Sequence, residues 1–189
     1  VLDSTSPERL VYKGPSSDYF NIIIQGVEAH SGINPEKGVS SIAASAEIVS
    51  KMKTGRINSN TTINIGKISG GSAINIVPGK TVISCEIRSH NEKTIKTEIN
   101  KIKKLIENVN KKYKKINKKF NAKIKIERIY DSINIPKDSL IIKNILRTCK
   151  EHGYKINLVE TGGGADANFF VKNGVNTVNL GTRMREFHT

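Results

Sequence analysis

His30 stands in Ala29-His30-Ser31-Gly32, on a glycine-containing connection able to present an imidazole to a substrate as a proton carrier or hydrogen-bond donor. Taken alone, a loop histidine is more often a solvated or locally bonded side chain. Gly71, Asn75 and Arg88 form a second set. Gly71 permits a tight hairpin, and the planar fork of Arg88 matches a carboxylate, although a strand-end arginine bonded to Glu86 or to solvent would look the same. The third place is Gly162-Gly163-Gly164-Ala165-Asp166, three glycines ahead of a helical stretch, where backbone amides can hold a carboxylate or an amide oxygen. It lacks the Lys-Ser/Thr of a P-loop and the G-x-G-x-x-G spacing of a dinucleotide fold, which argues against a nucleotide. Asp3 and His188 each follow a short apolar stretch as though at a strand end, and carboxylate plus imidazole are zinc-ligand types. Two ligands do not complete a zinc site, so a metal bound there would need others from outside this sequence.

These residues need elements to position them. In 18–26, Phe20, Ile22 and Ile24 alternate with polar residues apart from Ile23, which predicts a strand buried mostly on one face. Asn34-Pro35 reads as a cap and first-turn proline, predicting a helix with Val39, Ile42, Ala43, Ala46 and Val49 on one side and its end near Gly55. Residues 61–68 and 73–88 read as two further strands, the latter interrupted at Pro78-Gly79, with Ile83, Cys85 and Ile87 on one face. Ile95, Ile99, Ile102, Ile106, Val109, Tyr113, Ile116 and Phe120 are spaced alternately by four and three, which predicts a long amphipathic helix with a Lys/Asn outer face. Ile124, Ile126 and Ile129 mark a fourth strand in 122–130. The order is β-α-β-β-α-β, a ferredoxin-like sandwich with one sheet and both helices on one face. From 132 onward the texture is α/β: a helix over 138–152, a strand at 155–159, the glycine turn, a short helix and an apolar strand over 175–180, the grammar of a parallel sheet.

The chain has 189 residues, 31 Lys+Arg against 17 Asp+Glu and a formal charge of +14. Residues 92–128 alone hold 14 basic and 4 acidic residues, so the excess belongs to one segment rather than to the whole surface. Tyr113, which interleaves with those lysines, sits in the apolar stripe, so a nucleic-acid partner is not expected. No apolar run approaches the roughly 18 residues of a membrane helix, so no membrane role is expected. Cys85 and Cys149 lie far apart in apolar surroundings without metal-ligand spacing, which suits a reducing compartment and a cytoplasmic location. The chain opens without Met and stops without an obvious closing element, and is expected to be part of a longer protein.

The candidate residues fall into an ordered pattern. Ala29-His30-Ser31-Gly32 with Pro35-Glu36-Lys37-Gly38, Asn64-Ile65-Gly66, Gly70-Gly71, Asn75-Ile76-Val77, Glu86-Ile87-Arg88-Ser89, Gly163 to Asn168, Asn179-Leu180-Gly181 and His188-Thr189 occur in the order of one family. The chain resembles the peptidase T-like branch of the di-zinc metallopeptidases that include carboxypeptidase G and the aminoacylases, and the resemblance runs from Asp3 to His188. It implies a zinc-bearing α/β catalytic domain interrupted by a ferredoxin-like lid that dimerises: 1–16 as the end of a first catalytic segment, 17–131 as the lid, 132–189 as a truncated second segment. It also implies a homodimer, two zinc ions per complete active site with Asp3 on one and His188 on the other, and a short peptide as substrate. Arg88 and Asn75 would hold the substrate's carboxylate or backbone, Gly163 and Gly164 would line the cleft, and His30 would reach the partner's site and stabilise the transition state. The family's His-x-Asp, bridging Asp and paired Glu precede the Asp3 equivalent and are absent here, so this chain by itself is expected to be inactive. Ala165 replaces a common Ser, and Arg183 stands where a smaller residue is expected. The expected activity of the whole protein is that of a zinc aminopeptidase acting on tripeptides. Its rivals are a carboxypeptidase or N-acyl amino acid deacylase of the same superfamily, and a dimerisation module without chemistry.

Overall fold

The computed structural model describes residues 1–3 and 6–182. In chain order its elements are β1 (Arg9–Gly14), β2 (Ser16–Gln25), a 3-10 helix (Pro35–Lys37), α1 (Ser41–Lys51), β3 (Gly55–Asn58), β4 (Thr61–Gly70), β5 (Lys80–Ser89), α2 (Glu92–Lys114), β6 (Asn121–Tyr130), β7 (Ile133–Asn134), α3 (Leu140–Glu151), β8 (Asn157–Glu160), α4 (Asp166–Lys172) and β9 (Asn179–Leu180). They divide into two compact units, one of Asp18–Ile87 and Glu92–Glu127, the other of the described residues of Val1–Ser17, Arg88–Asn91 and Arg128–Thr189.

In the first unit the sheet order is β3-β4-β5-β2-β6. Setting β3 aside, the strands and the two helices follow the β-α-β-β-α-β order, with the first strand of that series, β2, between the third and the fourth. Period-two alternation sends Phe20, Ile22 and Ile24 of β2 and Ile83, Cys85 and Ile87 of β5 into one core with Ala44 and Ile48 of α1 and Ile95, Ile99, Ile102, Ile106 and Val109 of α2. Each fully buried Ile contributes about 1.5–3 kcal/mol relative to exposure. The helix α2 ends at Lys114, short of the expected stripe: Ile116 is 62% exposed, while Phe120 folds back beyond the turn, fully buried, and stacks on Tyr113 with ring centroids 4.9 Å apart.

Three expectations are corrected in this unit. The sheet has five strands rather than four, because β3 adds an antiparallel edge strand to β4. Asn34-Pro35 opens only the 3-10 helix; the cap of α1 is Ser40, whose Oγ accepts the Ala43 amide at 3.1 Å. Extended Gly38 separates the two, and Val39 pairs with Val27 instead of joining the helix. The buried stripe of α1 is Ser41, Ala44, Ser45 and Ile48, whereas Ile42, Ala43 and Ala46 face outward. Small hydroxyl residues can face the sheet because their bonds are made there: Ser41 Oγ with Thr81 Oγ1 at 2.8 Å, Ser45 Oγ to Ser41 O at 2.7 Å.

In the second unit β1 is the central strand. It pairs with β8 in parallel, as a parallel sheet requires, and with β7 and β9 antiparallel, so the sheet is mixed rather than the parallel one expected. Only Asn179–Leu180 of the expected 175–180 strand forms a ladder. The core is built on Leu10, Tyr12, Ile133, Ile135, Ile142, Ala167 and Val178. Ile142 of α3 is fully buried in it, Ile141, Ile145 and Leu146 pack against it, and Leu140 at the first turn is 73% exposed.

Candidate active site

In the first unit, β2 and β5 extend past their ladder ends into a narrow antiparallel ribbon. Gly26 donates to Gly79 O at 2.8 Å, Val77 to Ala29 O at 2.8 Å, and Ser31 to Asn75 O at 3.0 Å, with His30 opposite Ile76. His30 and Asn75 are thus brought to the same place, one from each side of the ribbon. The connection carrying Asn75 starts at Gly71, whose φ of +84° is a conformation that glycine adopts without strain. The exposed His30 ring accepts the Gly32 amide on Nδ1 at 3.2 Å. A nitrogen that accepts carries no hydrogen, so the neutral ring keeps its proton on Nε2, which has no other partner among the described residues. That edge suits donation to an oxygen on which charge builds up.

In the second unit, Arg88 at the exit of β5 meets the glycine turn that follows β8, its Nη1 3.5 Å from Gly162 O. The turn is braced from within: Gly163 donates to Thr161 Oγ1 at 3.1 Å, and Ala165 to Asn168 Oδ1 at 2.9 Å. The amide of buried Asn168 then donates to Asp131 O at 2.6 Å and Pro15 O at 3.2 Å, tying the turn to the neighbouring chain segments. Gly164 is required by packing, since a Cβ there would collide with the Tyr130 ring. Asp3, half-buried, follows the parallel bridge of Leu2 to Leu180 and donates its amide to Leu180 O at 3.0 Å. His188 lies outside the described residues, as does Arg183.

The structure therefore brings His30 beside Asn75, and Arg88 to the turn that holds Gly163 and Gly164. Among the described residues no three His, Cys, Asp or Glu side chains come together as a metal site. His90 was not anticipated, although the alternation of Ser84, Glu86 and Arg88 points to it two residues farther on. Its ring is nine-tenths buried, with Nε2 2.9 Å from Thr161 O. Nearby, the Lys13 ammonium at 3.1 Å and the Tyr12 hydroxyl hold the Glu160 carboxyl below the usual carboxylate range.

Residues 16–114 match the M20 peptidase dimerisation domain, and the chain belongs to that family. Among solved structures it is similar over its whole length to aminopeptidase PepT from Bacillus cereus ATCC 10987, at 33% identity and a TM-score of 0.86. It is likewise similar to a tripeptidase from Staphylococcus aureus Mu50, at 29% identity and a TM-score of 0.88. In each case the chain covers 49% of that protein. It is also 30% identical over 180 residues to the uncharacterised protein YqjE of Bacillus subtilis strain 168, covering 95% of this chain and 47% of YqjE. The chain thus spans about half the length of the relatives it matches.

Proposed function

We propose that this chain is part of a zinc-dependent exopeptidase of the cytoplasm that cleaves short peptides, an aminopeptidase acting on tripeptides. The observation that carries this reading is the reach of the likeness: it extends past the dimerisation domain through the glycine turn, across 100% of the chain, to an aminopeptidase and a tripeptidase. Residues 17–131 would act as the lid, with 1–16 and 132–189 belonging to the catalytic domain. Arg88 would grip the peptide's free carboxylate, Asn75 its backbone, and Gly163 and Gly164 would line the cleft. An arginine clamp at one end confines such an enzyme to short substrates. His30 would donate from Nε2 to the carbonyl oxygen as the carbonyl carbon becomes tetrahedral in the partner's site. A homodimer through the lid fits the outward Ile42, 45% exposed, with Ala43 and Ala46 beside it on α1, an apolar strip left uncovered in the single chain.

Two zinc ions in the complete site would supply a water of lowered pKa for attack on the peptide carbonyl. Of the residues in this sequence, Asp3 and His188 would hold one each. A half-buried carboxylate at a strand end suits that role, and among the described residues no group of three His, Cys, Asp or Glu side chains gathers as a metal site.

The test is a substrate panel on the full-length protein. Cleavage of free-amino tripeptides ahead of dipeptides, with N-acylated peptides left intact, supports the reading. Hydrolysis confined to N-acylated amino acids would replace the aminopeptidase with a deacylase.

A further inference from the structure

Among the described residues the His90 ring makes one hydrogen bond, and it is directed at the glycine turn. A carbonyl oxygen only accepts, so the hydrogen on the 2.9 Å contact between Nε2 and Thr161 O belongs to the ring. The buried Nδ1 has no hydrogen-bond partner among the described residues and stops 3.9 Å from Glu160 Oε2, a carboxylate already bonded to Lys13 and Tyr12. The ring is thus held by its surroundings in one orientation, with its donor edge on Thr161.

A trans peptide carries its C=O and N–H on opposite sides, and no peptide bond among the described residues is cis. Holding Thr161 O toward His90 therefore aims the Gly162 N–H the opposite way. Gly162 is exposed, and its amide has no partner among the described residues. A Cβ at Gly162 would meet nothing within 4 Å, and its φ is not positive. Neither backbone strain nor packing demands glycine at this position, whereas open space in front of a fixed, unpartnered amide is what an incoming oxygen atom needs.

We propose that the Gly162 amide donates to a carbonyl or carboxylate oxygen of the bound peptide, and that His90 is the positioning residue that aims it through Thr161. The identity of the ligand rests on the peptidase reading; the hold of His90 on the turn does not. In the full-length protein, His90→Leu removes the donor and His90→Gln restores one at the position of Nε2. Amide hydrogen exchange over residues 161–165 is expected to quicken in the Leu variant and to return to the wild-type rate in the Gln variant. With a tripeptide, His90→Leu is expected to raise KM about tenfold with kcat nearly unchanged, and His90→Gln to stay close to wild type. Gly162→Ala keeps the N–H and the turn but fills the open space, so it should raise KM without altering the melting temperature. Unchanged exchange in the Leu variant, or a Gln variant as impaired as Leu, would overturn the positioning role. An unchanged KM in Gly162→Ala would overturn the ligand assignment. A wild-type protein that cleaves no peptide contradicts the peptidase reading instead, and exchange then decides the role of His90.

Discussion

At the scale of single residues, the account depends on which atom of each side chain is left available. His30 accepts the Gly32 amide on Nδ1, which leaves Nε2 without another partner among the described residues. The proposed grip of Arg88 on a carboxylate rests on its planar fork, which a lysine cannot reproduce. Arg88→Lys is therefore expected to raise KM for free-carboxylate peptides about tenfold while leaving the corresponding peptide amides less affected; equal effects on both would contradict a carboxylate grip. The two cysteines should separate chemically. Burial pushes the Cys85 thiol up to about 12, which leaves almost no thiolate at neutral pH, whereas Cys149 is partly exposed. Alkylation of the folded protein should label Cys149 and spare Cys85 until denaturant is added, and equal labelling rates would show that the Cys85 core opens readily.

At the scale of elements, α2 and the sheet share one apolar seam, and Ile102 lies within it, 5% exposed. Ile102→Ala should lower stability by about 2–5 kcal/mol in denaturant unfolding. On the outside of the same layer, Lys112 of α2 and Lys51 of α1 each sit 2.7 Å from a Glu47 oxygen, and Lys112 foremost holds that carboxyl down to about 2. A carboxyl with a lowered folded pKa stabilises above its ordinary value, and the contribution fades as pH falls from about 4.5 through about 2. Glu47→Gln should thus melt below wild type at pH 7, modestly because the lysines are exposed, and the gap should close toward pH 2. The alternation in β2 and β5 and the four-three spacing of α2 were legible from residue types because each element buries one apolar face. The face of α1 was not, because Ser41 and Ser45 occupy it and their hydroxyls find partners only in the folded chain. β1 escaped notice for a different reason: Leu10, Val11 and Tyr12 are buried consecutively, so no period of two marks the strand. β3 is a polar Gly-Arg-Ile-Asn segment that becomes a strand by pairing with β4. In the candidate site, the glycine turn was legible as a motif, but its approach to Arg88, the brace by Asn168 and the hold by His90 are long-range contacts that no local spacing encodes.

At the scale of the whole molecule, the chain crosses between its two units at 17/18, 87/88, 91/92 and 127/128, so the first is an insertion in the second. Membership of a dimerisation-domain family makes the pairing of two copies the natural context for His30. If each active site borrows His30 from its partner, mixing full-length His30→Ala and His188→Ala proteins should restore activity, because one site of every mixed dimer then holds both residues. At full exchange the recovered rate should approach about a quarter of wild type. Two inactive parents that stay inactive after exchange would place His30 in its own protomer's site or outside catalysis. The central claim, that this chain belongs to a peptidase whose lid histidine stabilises the transition state, is tested most directly by tripeptide hydrolysis with the full-length protein beside its His30→Ala variant. The account predicts hydrolysis by the wild type and a kcat lower by about 10²–10³ in the variant, the usual loss on removing one oxyanion donor. Absence of hydrolysis in the wild type, or a variant as fast as wild type, would contradict it.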